Sequence, residues 1–149
     1  MAVQVIDPTK VRPLTGSIVS QMMMGETSYV GRFCYVGSDG KLYECDSTDS
    51  AKVTGQLYMI VAGGRNENDG AVSQFEAVSA VSFGRVAINN GTLTPAADYY
   101  IADPTTVTGY DGNQSGLIEN SAGTVTRRIG AAESADIFFV NGTAETPTS

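Results

Sequence analysis

Apolar and polar residues alternate along this chain in short bursts, each closed by glycine, asparagine, aspartate or proline. A period near two over four to eight residues is the signature of half-buried strands. No window of helical length keeps apolar residues at i, i+3, i+4 and i+7 without a glycine or proline interrupting it. The clearest burst is Tyr29-Val30-Gly31-Arg32-Phe33-Cys34-Tyr35-Val36, followed by Gly37-Ser38-Asp39-Gly40 and then Lys41-Leu42-Tyr43-Glu44-Cys45. Asp-Gly between β-rich segments predicts a hairpin with a two-residue type I′ turn, because both central residues need positive φ. Gln56-Leu57-Tyr58-Met59-Ile60-Val61-Ala62 is apolar on both faces and predicts a central strand. Gly63 to Gly70 reads as a loop. In the run from Ala80 to Ile88 the apolar positions are odd before Gly84 (Val81, Phe83) and even after it (Val86, Ile88), a parity switch that predicts a β-bulge at the glycine. Asn89-Asn90-Gly91 turns into Asp98 to Ala102, the stretch 103–123 is turn-rich, and strands over 124–129 and 136–140 close the chain. Eight to ten strands and no βαβ unit predict an all-β domain, a single compact β-sandwich or a partly open β-barrel.

The two ends depart from this rhythm. Residues 1–24 carry Pro8, Pro13 and only scattered aliphatics, which predicts an extended N-terminal arm. A β-rich body then spans 25–141, and the small, polar residues 142–149 read as a frayed tail.

Composition narrows the chemistry. Among 149 residues there is no histidine and no tryptophan, and there are two cysteines. Without histidine the Ser-His and Cys-His nucleophile systems and histidine-ligated zinc fall away, and two cysteines cannot make a Cys₄ site. Nine basic against sixteen acidic residues give a net charge of −7, opposite to the basic footprint that duplex nucleic acid requires. The longest apolar run, Leu57 to Ala62, is far short of the ~20 residues that span a bilayer. The opening Met1 to Pro8 has neither a charged n-region nor an apolar h-region, so synthesis in a reducing cytoplasm is expected. The expectation is therefore no cofactor, no metal, no direct nucleic-acid binding and no membrane contact.

Several clusters invite a functional reading. With a two-residue loop at Asp39-Gly40, Cys34 pairs with Cys45 across the hairpin at a Cα separation of about 5.5 Å, which a disulfide allows. Cys34 and Cys45 are then either a locking disulfide of a finished particle or, as the cytoplasmic setting favours, two reduced and half-buried small hydrophobes. The loop from Asn66 to Gly70 imitates an EF-hand, but aligning Gly70 puts Arg65 where the first carboxylate belongs. Asp46 and Asp49 could share a cation, yet both are ordinary turn formers. Arg127 and Arg128 are adjacent in a strand and so face opposite sides, one suited to a surface carboxylate. Met22-Met23-Met24 suits an adaptable interface or a strand entering the core.

The order of segments is informative beyond any one motif. A proline-punctuated arm precedes Tyr35-Val36-Gly37-Ser38-Asp39-Gly40-Lys41-Leu42-Tyr43-Glu44-Cys45-Asp46. Next come Gly55-Gln56-Leu57, a Gly-rich loop, Phe83-Gly84-Arg85-Val86-Ala87-Ile88, Tyr99-Tyr100-Ile101-Ala102-Asp103, Arg128-Ile129-Gly130-Ala131-Ala132 and Ile137-Phe138-Phe139-Val140. Over about residues 25–140 this resembles the head decoration, or capsid cement, proteins of tailed double-stranded DNA bacteriophages, on spacing and composition. The resemblance implies a β-tulip-like fold, a homotrimer, the major capsid protein as partner, and a place on the exterior of a virion assembled in the host cytoplasm. It also implies an arm that attaches to the shell. Lys10 and Arg12 against Asp7 leave the arm at +1, so the rest of the chain carries −8. On that reading Val3, Val5 and Ile6 add as a strand to the major capsid protein, Lys10 and Arg12 meet its carboxylates, and Val11 and Leu14 extend the contact. The alternatives are a phage tail or fibre β-module that binds host surface glycans, or an enzyme using a converging pair among the sixteen acids.

Overall fold

Turn-forming residues cut the chain into strands that are mostly short. The computed structural model describes residues 3–4, 6–63, 70–89, 91–110, 112–145 and 147. Its first strands are β1 (Arg12–Pro13), β2 (Ile18–Met23), β3 (Ser28–Tyr29), β4 (Phe33–Val36) and β5 (Leu42–Glu44). Then come β6 (Leu57–Gly63), β7 (Ala71–Val72), β8 (Ala77–Ala87), β9 (Asp98–Ile101) and β10 (Thr105–Thr106). The last are β11 (Asn113–Gln114), β12 (Ile118–Glu119), β13 (Arg128–Ala132) and β14 (Ile137–Asn141). Helical structure among the described residues is confined to single 3-10 turns at Pro8–Lys10 and Ser50–Lys52. None of it is long and apolar enough to cross a membrane.

The main sheet runs β12-β9-β13-β14-β8-β6-β4-β5, antiparallel throughout, and curls into a half-barrel. The fold is thus all-β, as the alternation predicts. β6 lies between β4 and β8 with Leu57, Met59, Ile60 and Val61 buried, which is why it is apolar on both faces. β8 organises the rest. Along one side its residues 83–87 pair with β14 and 78–81 with β6; along the other, Val86 and Ala87 pair with β1 and residues 77–83 with β2. One strand therefore belongs to two halves of the sheet and must bend between them.

The bend is not the one the parity switch predicts. Ile18 faces Phe83 while Val19 faces Val81, so the extra residue is Ser82, two positions before Gly84. Phe83 points to the exposed side and Ser82 is buried. Gly84 is needed for a different reason: its φ is +126° and a Cβ there would sit 2.5 Å from the Ser17 Cα. The glycine lets the N-terminal strands lie close against β8.

Closure of the curl depends on Gly116. The Phe33 N–H donates to the Gly116 carbonyl (2.9 Å), and the Gly116 N–H donates to the Cys45 carbonyl (2.8 Å), linking the β4–β5 end of the sheet to the loop before β12. Inside lies one main core, in which Phe138 meets Phe33 and Tyr99 edge-on at 6.0 and 5.7 Å. A satellite cluster of Ala102, Val107 and Leu117 packs against Val3 and Tyr110.

Candidate functional site

The N-terminal segment is extended, but it is not a separate arm. The Gln4 N–H donates to the Ile118 carbonyl (2.8 Å) and Val3 packs on the satellite cluster, while Val5 lies outside the described residues. Ile6 is buried in the main core against Gly31, where a Cβ would come within 2.9 Å of Ile6 Cγ2. Asp7 then caps the first 3-10 turn, accepting from the Thr9 N–H (2.9 Å) and hydroxyl (2.7 Å). Those bonds, aided by the Lys10 charge, hold its carboxyl below the usual range. Val11 is buried, Leu14 half-buried, and Met24 fully buried.

The boundary at residue 24 and the free-arm reading are therefore corrected. Aliphatics at strand spacing suit any open edge, and the edge of β8 in the same chain is present at a far higher effective concentration than one in another molecule. Ile6 and Val11 are occupied at home and cannot contact a capsid protein without leaving the core. Lys10 and Arg12 are different. Both side chains are exposed, on either side of buried Val11, and Arg12 forms no ion pair among the described residues. They form a cationic rim fixed by the 3-10 turn and by β1.

The cysteines also depart from the expected register. Gly40 donates to the Gly37 carbonyl (2.9 Å) and Gly37 to the Lys41 carbonyl (2.8 Å), with Gly40 at φ +80°. This is a three-residue loop with a left-handed glycine, one residue longer than the I′ turn. Val36 now faces Leu42, Tyr35 faces Tyr43 and Cys34 faces Glu44, while the Cys45 N–H donates to the Phe33 carbonyl. A slip of one sends Cys34 and Cys45 to opposite faces of the hairpin. Both are free, buried thiols whose pKa burial pushes up. Beside them, Glu44 accepts from the Ser28 hydroxyl (2.6 Å), and its own N–H donates to Glu26 Oε2 (2.6 Å); burial raises its pKa.

Arg127 and Arg128 face opposite sides. Arg128 meets Asp98 on the surface at 2.8 Å. Arg127 is fully buried, and its Nη1 and Nη2 donate to the carbonyls of Val53 (2.7 Å), Gly55 (2.9 Å), Glu145 (3.3 Å) and Thr143 (2.9 Å). This corrects the frayed tail: residues 142–145 are tied to the body, helped by Leu57 donating to the Gly142 carbonyl (2.8 Å). Sequence reading missed a second buried guanidinium. Arg32 lies 5.4 and 5.1 Å from the Tyr29 and Tyr110 ring centres, and its Nη1 donates to Gln114 Oε1 (3.2 Å) and the Ser115 carbonyl (3.0 Å). Its only sequence signal is an arginine inside an apolar strand run.

The remaining candidates resolve locally. Asp46 and Asp49 accept from the backbone N–H groups of Thr48 and Ala51, as turn residues do. The loop from Asn66 to Asp69 lies outside the described residues, among which no group of three or more acidic or cysteine side chains gathers for a metal. Tyr99 is buried with its hydroxyl accepting from the Thr94 N–H (2.9 Å), so it offers no platform to a sugar. The methionine run divides between its two readings: Met24 is buried, Met22 half-buried and Met23 exposed. No family model, curated protein or solved structure matches this chain.

Proposed function

We propose that the chain is a structural virion protein that decorates the outside of an assembled phage capsid and stabilises it by binding the lattice of the major capsid protein. The observation that supports this reading best is the rim of Lys10 and Arg12, two exposed cations on a chain that otherwise carries −9. Because the 3-10 turn and β1 already fix the backbone under these cations, meeting carboxylates costs side-chain freedom but little backbone freedom, less in total than a loose arm would lose. Binding only the assembled lattice would stabilise it by mass action, about 2.7 kcal/mol per site at a hundredfold excess over Kd. The antiparallel half-barrel, the segment order and the acidic charge balance agree with the resemblance to cement proteins.

The test is co-sedimentation with expanded, undecorated heads of the cognate virus. Lys10→Glu/Arg12→Glu should fold normally, since both side chains are exposed, and should lose capsid binding. Wild-type binding should also weaken as salt is raised from about 0.05 to 0.5 M. Full occupancy by the double variant would end this account of the contact. Deleting residues 1–14 is a poor substitute, because it removes Ile6 and Val11 from the core.

A further inference from the structure

Beyond its middle, β8 turns one side-chain face to solvent. Val86 points into the core, while Phe83 and Arg85 point outward together with Phe139 of β14. Ile18 stands opposite Phe83 on the other neighbouring strand. Gly84 permits that approach, since a Cβ there would strike Ser17 and push Ile18 away. Phe83 and Phe139 meet edge-on, with ring centres 5.0 Å and planes 86° apart. Phe83 still exposes 41% of its surface and Ile18 56%. These neighbours form a continuous apolar patch, which single scattered hydrophobics do not. The strands beneath it also differ in charge from the rest of the chain. β1, β8 and β14 hold Arg12 and Arg85 and not one of the sixteen acidic residues. Arg12 pairs with Ala87, so strand alternation puts it on the face of Arg85 and Phe83. Glu133, in the turn between β13 and β14, meets the Arg85 Nε.

We infer that this outer face of β1, β8 and β14 is the surface that lies on the major capsid protein, with Phe83 as its apolar anchor and Arg12 and Arg85 at its margin; the inference rests on the capsid-binding reading. The partner it fits is an apolar recess rimmed by carboxylates. Arg12 belongs both to the cationic rim and to this face, so rim and patch make one surface. Charge selects this occupant over a second copy of the chain. A two-fold contact of the face with itself would gather both arginines of each copy around the one Glu133 of each, leaving like charges in excess. An acidic partner instead meets the part of the chain where its own negative charge is missing. The Phe83 ring already rests against Phe139, so it gives up little freedom when a partner covers it.

Binding of the intact chain to undecorated heads tests it. Phe83→Asp removes the anchor and sets a carboxylate against those of the partner. It should raise the Kd by about thirtyfold or more, the scale of a hot-spot residue, with circular dichroism unchanged. Phe75 is the more exposed ring (62%) but lies before the opposite end of β8, so Phe75→Asp should leave the Kd within about twofold. Should Phe83→Asp fail to fold, Ile18→Cys supplies an independent reading. Cys34 and Cys45 are buried, so a maleimide labels the new thiol alone, and the chain bound to heads should lose that labelling. Phe75→Cys should label equally in both states. A wild type that does not bind heads overturns the capsid reading and this inference together. Binding that requires Lys10 and Arg12 but is unchanged by Phe83→Asp overturns this inference alone. The same holds for Ile18→Cys labelled equally on and off heads, for equal losses at positions 75 and 83, or for an oligomer that Phe83→Asp dissociates while occupancy of heads persists.

Discussion

Arg127→Met removes the buried guanidinium that joins the Val53–Gly55 turn to the tail. Four carbonyls lose a donor, three of them at 2.7–2.9 Å. Leaving a buried acceptor unsatisfied costs roughly 1–2 kcal/mol, so the three short bonds account for about 3–6 kcal/mol. Two effects work in the opposite direction. Burial lowers the pKa of Arg127, a sign that desolvating its charge is unfavourable, and its Nε has no hydrogen-bond partner, with Glu145 Oε1 3.9 Å away. Relief of both returns about 1–2 kcal/mol. The net loss is about 2–4 kcal/mol, which for a chain of this size lowers Tm by about 5–15 °C. Differential scanning calorimetry reads the shift, and hydrogen exchange at Gly142 and Glu145 reads the tail. Arg127→Lys should fall between wild type and methionine, because one ammonium cannot serve acceptors on both sides of the site. If the methionine variant melts within about 2 °C of wild type with the tail still protected, the carbonyl contacts contribute no net stability and the reasoning is wrong.

Two further outcomes follow from the same chemistry. Asp103 accepts from the Ser47 hydroxyl and from the Thr124 N–H and hydroxyl; burial opposes its ionised form, but these bonds win and hold its pKa below the ordinary value. A carboxyl depressed by folding adds stability above about pH 4 and loses it as pH falls through the folded value, so Asp103→Asn should show a shallower fall of Tm between about pH 4 and pH 2. Parallel pH profiles would refute this. Cys34 and Cys45, buried and with raised pKa, should not react with a disulfide reagent in native protein at pH 8 and should both react in guanidinium. Rapid labelling of the native chain would contradict the burial.

Period-two alternation was sufficient to read the all-β class and the central position of β6, because each depends only on which faces are buried. Register was not legible at the same level. Ser38-Asp39-Gly40 fits a two-residue or a three-residue loop, and the choice is made by the left-handed glycine and by Glu44, which the longer loop places opposite Cys34. The fate of the N-terminal segment was illegible for a related reason. Val3, Ile6, Val11 and Leu14 declare an extended strand, but their spacing does not name the edge they join. They join two: Gln4, next to Val3, bridges Ile118 of β12, and the segment from Arg12 to Leu14 lies on β8, some seventy residues later in the chain. Arg127 and Arg128 were read correctly as opposite-facing because strand alternation alone decides it. The carbonyls that receive Arg127 come from two distant segments, 53–55 and 143–145, and only the folded chain brings them together.

β8 is flanked at Ala87 by Arg12 on one side and Ile137 on the other, so segments 125 positions apart are two strands away from each other in space. A ribosome delivers them at opposite ends of synthesis. Until β14 emerges, residues 83–87 of β8 have no partner on the side that β6 shares, and the early strands wait beside an incomplete template. Such wiring gives a high contact order and a slow, largely post-translational collapse. Joining the two ends and opening the chain in the polar 46–50 joint would place β14 and β1 together in time as well as in space, and such a permutant should fold faster than its parent.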